Sequence, residues 1–127
     1  ADPNIARVAA DGMWRESVMN ALAGKADEVF VAFKGNKPVG MVSCMDDALS
    51  ADVFGKPVRT FFHVGVLPGQ RGKGVGRQML AAAIKGSSAK TAALRVETQS
   101  ANTAALALYQ GRGFLIAASY YSFHYWV

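Results

Sequence analysis

Val66-Leu67-Pro68-Gly69-Gln70-Arg71-Gly72-Lys73-Gly74-Val75-Gly76-Arg77 is the stretch on which the fold turns. Four of the eight residues from 69 to 76 are glycine, and Arg71, Lys73 and Arg77 stand among them within seven positions. Ahead of it, Arg59 to Leu67 is a β-type run rich in Phe and Val, stopped by Pro68-Gly69. Behind it, Val75, Met79, Leu80, Ala83 and Ile84 fall on one face of a helix that ends around Gly86. The unit is strand, glycine loop, helix. The first N–H groups of a helix lack partners and carry partial positive charge, so a loop stripped of side chains there presents donors to a phosphate. The spacing is Gly-x-Gly-x-Gly, with no Gly-x-Gly-x-x-Gly and no Gly-x-x-x-x-Gly-Lys-Ser/Thr, which disfavours dinucleotide and nucleoside-triphosphate loops. Glu97, about twenty residues further on, keeps a nicotinamide site open as an alternative.

Outward from the loop, Met13 or Trp14, Val18 and Leu22 recur about four apart and predict a short amphipathic helix over 12–23, with Gly24 as its stop. Val29–Phe33 and Val39–Met45 flank Gly35-Asn36-Lys37-Pro38 and predict an antiparallel hairpin. Residues 46–56 read as a surface loop. Ala92–Glu97 reads as a buried strand, Thr103–Gln110 as a short helix, and Phe114–Ser119 and Tyr121–Val127 as closing strands. No repeat, charge block or Gly/Ser linker divides the sequence, so residues 1–127 are expected to form one domain of mixed α/β class.

Hydrophobic residues make up 51% of the 127 and charged residues 18%, which excludes a disordered or low-complexity chain. A single cysteine, Cys44, and two histidines exclude an internal disulfide framework and a cysteine-based zinc site. No metal is expected, and a reducing compartment is the default. The absence of a spanning apolar run or a signal-peptide plan predicts a cytoplasmic protein with no membrane partner. The net charge of +5 is unevenly spread: residues 1–65 carry seven Lys/Arg against eight Asp/Glu, and residues 66–127 carry seven against Glu97 alone. The second half faces anions. Cations packed among glycines suit a compact polyphosphate better than the long basic stripe that a duplex needs, so no nucleic-acid partner is expected.

Val66-x-Pro68, then Arg71-x-x-Gly74-x-Gly76, then Asn102-x-x-Ala105-x-x-Leu108-Tyr109-x-x-x-Gly113-Phe114 resembles the Gcn5-related N-acetyltransferases over about residues 28–127. The resemblance implies a central, mostly antiparallel sheet that splays open, flanked by helices. It implies acetyl-coenzyme A as cosubstrate, its pyrophosphate on the amides of Arg71, Gly72, Lys73, Gly74, Val75 and Gly76, with Arg77 adding charge at the rim. The pantetheine arm would pair with the backbone near Val64 and Val66, and the thioester would sit in the opening between that strand and 92–97. Direct transfer to a primary amine follows, with the Val66 N–H as oxyanion donor and Tyr109 as the acid for the departing thiolate. Asn102 contacts the coenzyme, caps its helix, or does both.

His63 is the histidine nearest the expected thioester and is a candidate general base; a structural role, Glu97 and a water chain compete with it. Cys44 and His124 read as packed residues. Short similarities around Val96–Gln99 and the terminal Tyr-x-Phe-His-Tyr-Trp lean the acceptor toward an amino sugar, ahead of a peptide or protein amine and of a noncatalytic coenzyme-binding domain. Only about 27 residues precede the hairpin and no strand is recognisable among them, so the family's first strand and helix are expected to be shortened, missing, or supplied by a partner chain in a homodimer.

Overall fold

The computed structural model describes residues 7–123 and 125. They divide into two compact units, Ala1–Glu97 and Thr98–Val127.

The first unit is built on a four-stranded sheet in the order β1-β2-β3-β4. Strands β1 (Glu28–Lys34) and β2 (Lys37–Asp47) form the expected hairpin, turning where Gly35 takes a φ of 60°. Strand β3 (Val58–Val66) lies antiparallel to β2, and β4 (Ala93–Val96) lies parallel to β3. Helix α1 (Arg7–Asn20) begins the described chain and ends in a wide turn, Ala21–Lys25, where Gly24 has a φ of 93°. Helix α3 (Val75–Ser88) makes the crossover from β3 to β4 that a parallel pair requires. Met79, Leu80, Ala83 and Ser87 are its buried residues. Because two of these are small, the helix comes close to the sheet: a Cβ on Gly86 would lie 2.7 Å from the ring of Phe30. Val42, Cys44, Phe61 and Leu80 are almost completely buried and form the centre of the core.

Three expectations for this unit need correction. Residues 46–56 are not a loop: Ala48–Phe54 is a helix, α2, whose start is capped by the Asp47 carboxylate on the Leu49 N–H and whose end is closed by Gly55 at a φ of 75°. The amphipathic stripe on α1 is not covered, since Met13, Trp14 and Leu22 are all more than half exposed. Strand β4 is only partly buried, alternating between exposed and half-buried residues, because nothing pairs with its far edge among the described residues.

In the second unit α4 (Thr103–Gln110) forms as the Asn102 cap predicts, with Asn102 Oδ1 accepting the Ala105 N–H at 3.2 Å. Gly113, with a φ of 88°, turns the chain after it. The closing strand expected over Phe114–Ser119 does not form, and no strand forms over 121–123. These residues have β-type side chains, but a strand exists only through its ladder. Leu115, Ile116, Tyr120 and Tyr121 are left exposed. His124, Trp126 and Val127 lie outside the described residues.

Candidate active site

The ladder between β3 and β4 runs from Val58–Ala93 to Phe61–Val96 and stops there, five residues before β3 itself ends. The cause is visible in the same strand. Ser43 pairs with His63 and Cys44 with Phe61, so Phe62 is an extra residue opposite β2, a β-bulge. Bulges bend a strand and increase its twist, and this one coincides with the last β3–β4 pair. Beyond it one edge of β3 is unpaired among the described residues.

The polarity of that edge follows from one hydrogen bond. The Leu67 N–H donates to the Val39 carbonyl at 2.9 Å, so Val39–Leu67 and Met41–Gly65 are hydrogen-bonded pairs of the antiparallel ladder. The intervening pairs, Gly40–Val66 and Val42–Val64, are then non-hydrogen-bonded ones. The N–H and C=O groups of Val64 and Val66 therefore point away from β2, toward the side that β4 has left. Arg71 Nε takes the Val66 carbonyl at 2.9 Å. The Val66 N–H and both groups of Val64 remain as an extended set of donors and acceptors.

After β3, Pro68–Gln70 makes a single 3-10 turn and Gly72 and Gly74 adopt φ values of 71° and 79°. Gly74 is the N-cap of α3; no side chain caps that helix, and no acidic residue stands in its first turn. The amides that open α3 thus keep their partial positive charge uncompensated. Arg71, Lys73 and Arg77 are exposed around them. One amide of the predicted set is already used: the Arg71 N–H donates to the Pro68 carbonyl at 3.3 Å. The loop amides left open to an anion accordingly start at Gly72.

His63 projects from β3 on the face opposite α3 and is buried. Its Nε2 lies 2.9 Å from Ser17 Oγ on α1, and its Nδ1 lies 2.6 Å from Ser43 Oγ on β2. Trp14 and Phe62 meet the ring edge-on, with centroids 5.8 Å and 4.8 Å away. Burial lowers the pKa of the imidazole. Ser17 and Ser43 escaped the sequence reading, because a lone serine carries no signal until the register sets it beside a histidine. Glu97 is exposed, 4.0 Å from Arg95. Cys44 is fully buried, and burial pushes its thiol up to about 11, as expected for a core residue. No group of three or more His, Cys, Asp or Glu able to hold a metal occurs among the described residues, nor any helix long and apolar enough to cross a membrane.

In the second unit Tyr109 is buried with its ring 6.1 Å from that of Phe114. Burial raises the phenol pKa, so the hydroxyl keeps its proton throughout the neutral range. Its carbonyl accepts the N–H groups of Arg112 and Phe114, which fixes the turn at Gly113.

A strand that parts from its neighbour and then runs through a glycine loop into a helix is what the resemblance implies. The model of the acetyltransferase (GNAT) family matches residues 4–114. The chain belongs to this family. The spore coat polysaccharide biosynthesis protein SpsD of Bacillus subtilis is 30% identical over 128 residues, a match covering 98% of this chain and 41% of that protein. The chain therefore spans less than half the length of this relative. A transcriptional regulator from Bacillus halodurans shares the fold at a TM-score of 0.69 and 22% identity, covering 90% of this chain and 76% of the other. An aminoglycoside acetyltransferase from an uncultured soil metagenomic sample, solved with trehalose, does so at 0.68 and 21%, covering 88% and 73%.

Proposed function

We propose that this GNAT chain transfers an acetyl group from acetyl-coenzyme A to the primary amine of an amino sugar. The observation that carries the reading is the free edge of β3, where the Val64 and Val66 backbone groups open toward the side β4 has left, followed by the uncapped start of α3. An extended amide-bearing arm pairs with such an edge as another strand would, and a diphosphate suits the helix amides. Acetyl-coenzyme A carries both, and it supplies an activated acyl group. Gly72 to Gly76 bind its diphosphate, and Arg71, Lys73 and Arg77 screen the charge. The Val66 N–H is the donor for the carbonyl oxygen as negative charge develops there. In the transfer a C–N bond forms, the C–S bond breaks, one amine proton leaves to water, and the sulfur takes a proton. By family resemblance Tyr109 is the acid for that last proton, and its hydroxyl holds a proton to give in the neutral range. Water serves as base, because both ring nitrogens of His63 are already hydrogen-bonded.

The sugar acceptor is supported by a relative named for polysaccharide biosynthesis and by a fold neighbour that is an aminoglycoside acetyltransferase. With only Glu97 acidic among residues 66–127, a highly cationic acceptor is the less attractive choice. An acetyl-transfer screen over amino sugars, peptides and polyamines, read by free-thiol release and by mass of the acetylated product, tests the proposal. Release with amino sugars is expected. Release with peptides alone would replace the acceptor class, and release without any acetylated product would leave a coenzyme-binding domain.

A further inference from the structure

We propose that Trp14 and Ser17 on α1 form a subsite for a hydroxylated ring of the acceptor, and that His63 is the residue that positions it. The inference rests on the transfer reading above and assigns the acceptor side of that site.

The argument begins with hydrogen counting. Ser43 is buried, and its Oγ accepts the backbone N–H of His63 at 3.2 Å. Its own hydrogen then has His63 Nδ1, 2.6 Å away, as the acceptor within reach. The opposite arrangement, Nδ1–H donating to Ser43, would strand that hydrogen in the core, where a donor without an acceptor is costly. Nδ1 is therefore the acceptor, and the neutral ring carries its proton on Nε2. From there it donates to Ser17 Oγ at 2.9 Å. Ser43, His63 and Ser17 form a directed chain from the core to a half-buried hydroxyl on α1. At its end Ser17 has one hydrogen left to give.

The place is informative. His63 follows the bulge residue Phe62, beside the point where β3 and β4 part, so α1 is tied to the sheet next to that opening. Trp14 precedes Ser17 by three residues and shares its side of the helix. The indole touches the imidazole edge-on yet stays 62% exposed, more than an indole packed into a core would be. A broad aromatic face beside a single directed hydroxyl donor matches a sugar ring, which has an apolar C–H face and hydroxyl oxygens at its rim. His63 does not reach the acceptor in this arrangement; it fixes where Ser17 points.

The test uses the 15N-labelled chain with coenzyme A present. Trp14→Phe identifies the Trp14 indole signal, glucosamine is the ligand, and cyclohexylamine is the control amine without hydroxyls. Glucosamine should move the Trp14 signal, and cyclohexylamine should bind at least ten-fold more weakly. Ser17→Ala should weaken glucosamine about five-fold or more. His63→Ala, which removes the N–H that holds Ser17, should weaken glucosamine about as much as Ser17→Ala, and His63→Gln, which keeps an N–H at the far end of the side chain, should recover most of that binding. Long-range 15N spectra of His63 should show protonated Nε2 and bare Nδ1. A silent Trp14 signal, unaltered binding in Ser17→Ala, a loss in His63→Gln as large as in Ser17→Ala, or a proton on Nδ1 overturns the proposal. Should Ser17→Ala not fold, the control amine, the glutamine variant and the tautomer decide the matter. Amides of Gly72 to Gly76 that ignore coenzyme A overturn the transfer reading itself; a loop response with a silent Trp14 removes the subsite alone.

Discussion

The guanidinium of Arg59 holds the carboxylate of Asp46 in a two-pronged grip across β2 and β3, Nε to Oδ1 at 2.6 Å and Nη2 to Oδ2 at 2.7 Å. Glu28 on β1 and Ser87 on α3 also accept hydrogen bonds from Nη1, and Lys90 reaches Glu28 at 3.0 Å. One nearly buried side chain thus joins three strands and the helix that leads away from the glycine loop. The bond from Arg59 holds the Asp46 carboxyl below its ordinary range, and Lys90, then Arg59, do the same for Glu28.

A carboxyl whose pKa is lower in the folded state than in the unfolded one contributes stability above its unfolded value. That contribution is lost as the pH falls through the folded value. The network should therefore stabilise the protein fully at pH 7 and fail progressively below about pH 5. Asp46→Asn leaves the buried guanidinium short of a partner and should cost about 2–4 kcal/mol at pH 7, with a smaller difference from wild type near pH 3. Urea unfolding at the two pH values checks this; a pH-independent difference would separate the effect from the ion pair.

Gly74 is the residue at which the loop geometry and the proposed phosphate site meet. Its φ of 79° costs an ordinary residue roughly 1–2 kcal/mol, and it stands at the uncapped start of α3. Gly74→Glu adds a negative side chain where an anion is expected. Coenzyme A at about 100 times its Kd should stabilise the wild-type chain by about 2.7 kcal/mol, read as a rise in Tm of several degrees, and the variant should show no rise. Gly69→Ala is the control: it has no positive φ and open space around the new methyl, and its response should match wild type. An equal response in Gly74→Glu would remove the loop from the binding site.

Tyr109→Phe tests the acid. Removing the hydroxyl should lower kcat by about a hundred-fold or more, in the range by which a positioned acid accelerates a step, while coenzyme A affinity stays within about two-fold. Because burial raises the phenol pKa, the alkaline fall of the wild-type rate should come above pH 10 or be absent from the accessible range. Stopped turnover assays with thiol detection measure both, and wild-type kcat in the variant would take the role from Tyr109.

Local chemistry made much of this molecule legible. Gly35-Asn36 marks the hairpin turn, Pro68-Gly69 stops β3, and Asn102 caps α4; in each case the residue type itself supplies the conformation or the hydrogen bond. Helix α2 was hidden because its seven residues bury none of their side chains, so no apolar stripe announces it and only Asp47 and Gly55 mark its ends. The stretch after Phe114 misled in the opposite direction: alternating aromatics promise a strand, but pairing depends on a partner that composition does not name. The Ser17–His63–Ser43 chain needed the bulge at Phe62. Without that extra residue His63 would lie on the other face of the sheet, and no sequence rule placed a bulge there.

Gly40 links packing to the opening at β3. It pairs with Val66, and a Cβ built on it would come within 2.9 Å of the Gly65 carbonyl oxygen and 3.1 Å of Met79 Sδ. The methionine can turn aside; the backbone oxygen cannot without moving β3. Gly40→Ala should therefore push β2 and β3 apart beside Val64 and Val66, whose outward-facing backbone groups form the edge proposed to receive the coenzyme arm. A loss of about 1–3 kcal/mol is expected from the overpacking. Gly86→Ala meets only the ring of Phe30 on β1, near the C-terminal end of α3, and should cost a similar amount without touching that edge. The contrast is the measurement: both variants should unfold at lower urea than wild type, but only Gly40→Ala should bind coenzyme A more weakly in calorimetric titration. Equal affinities in the two would mean that the register at Val66 does not govern the site.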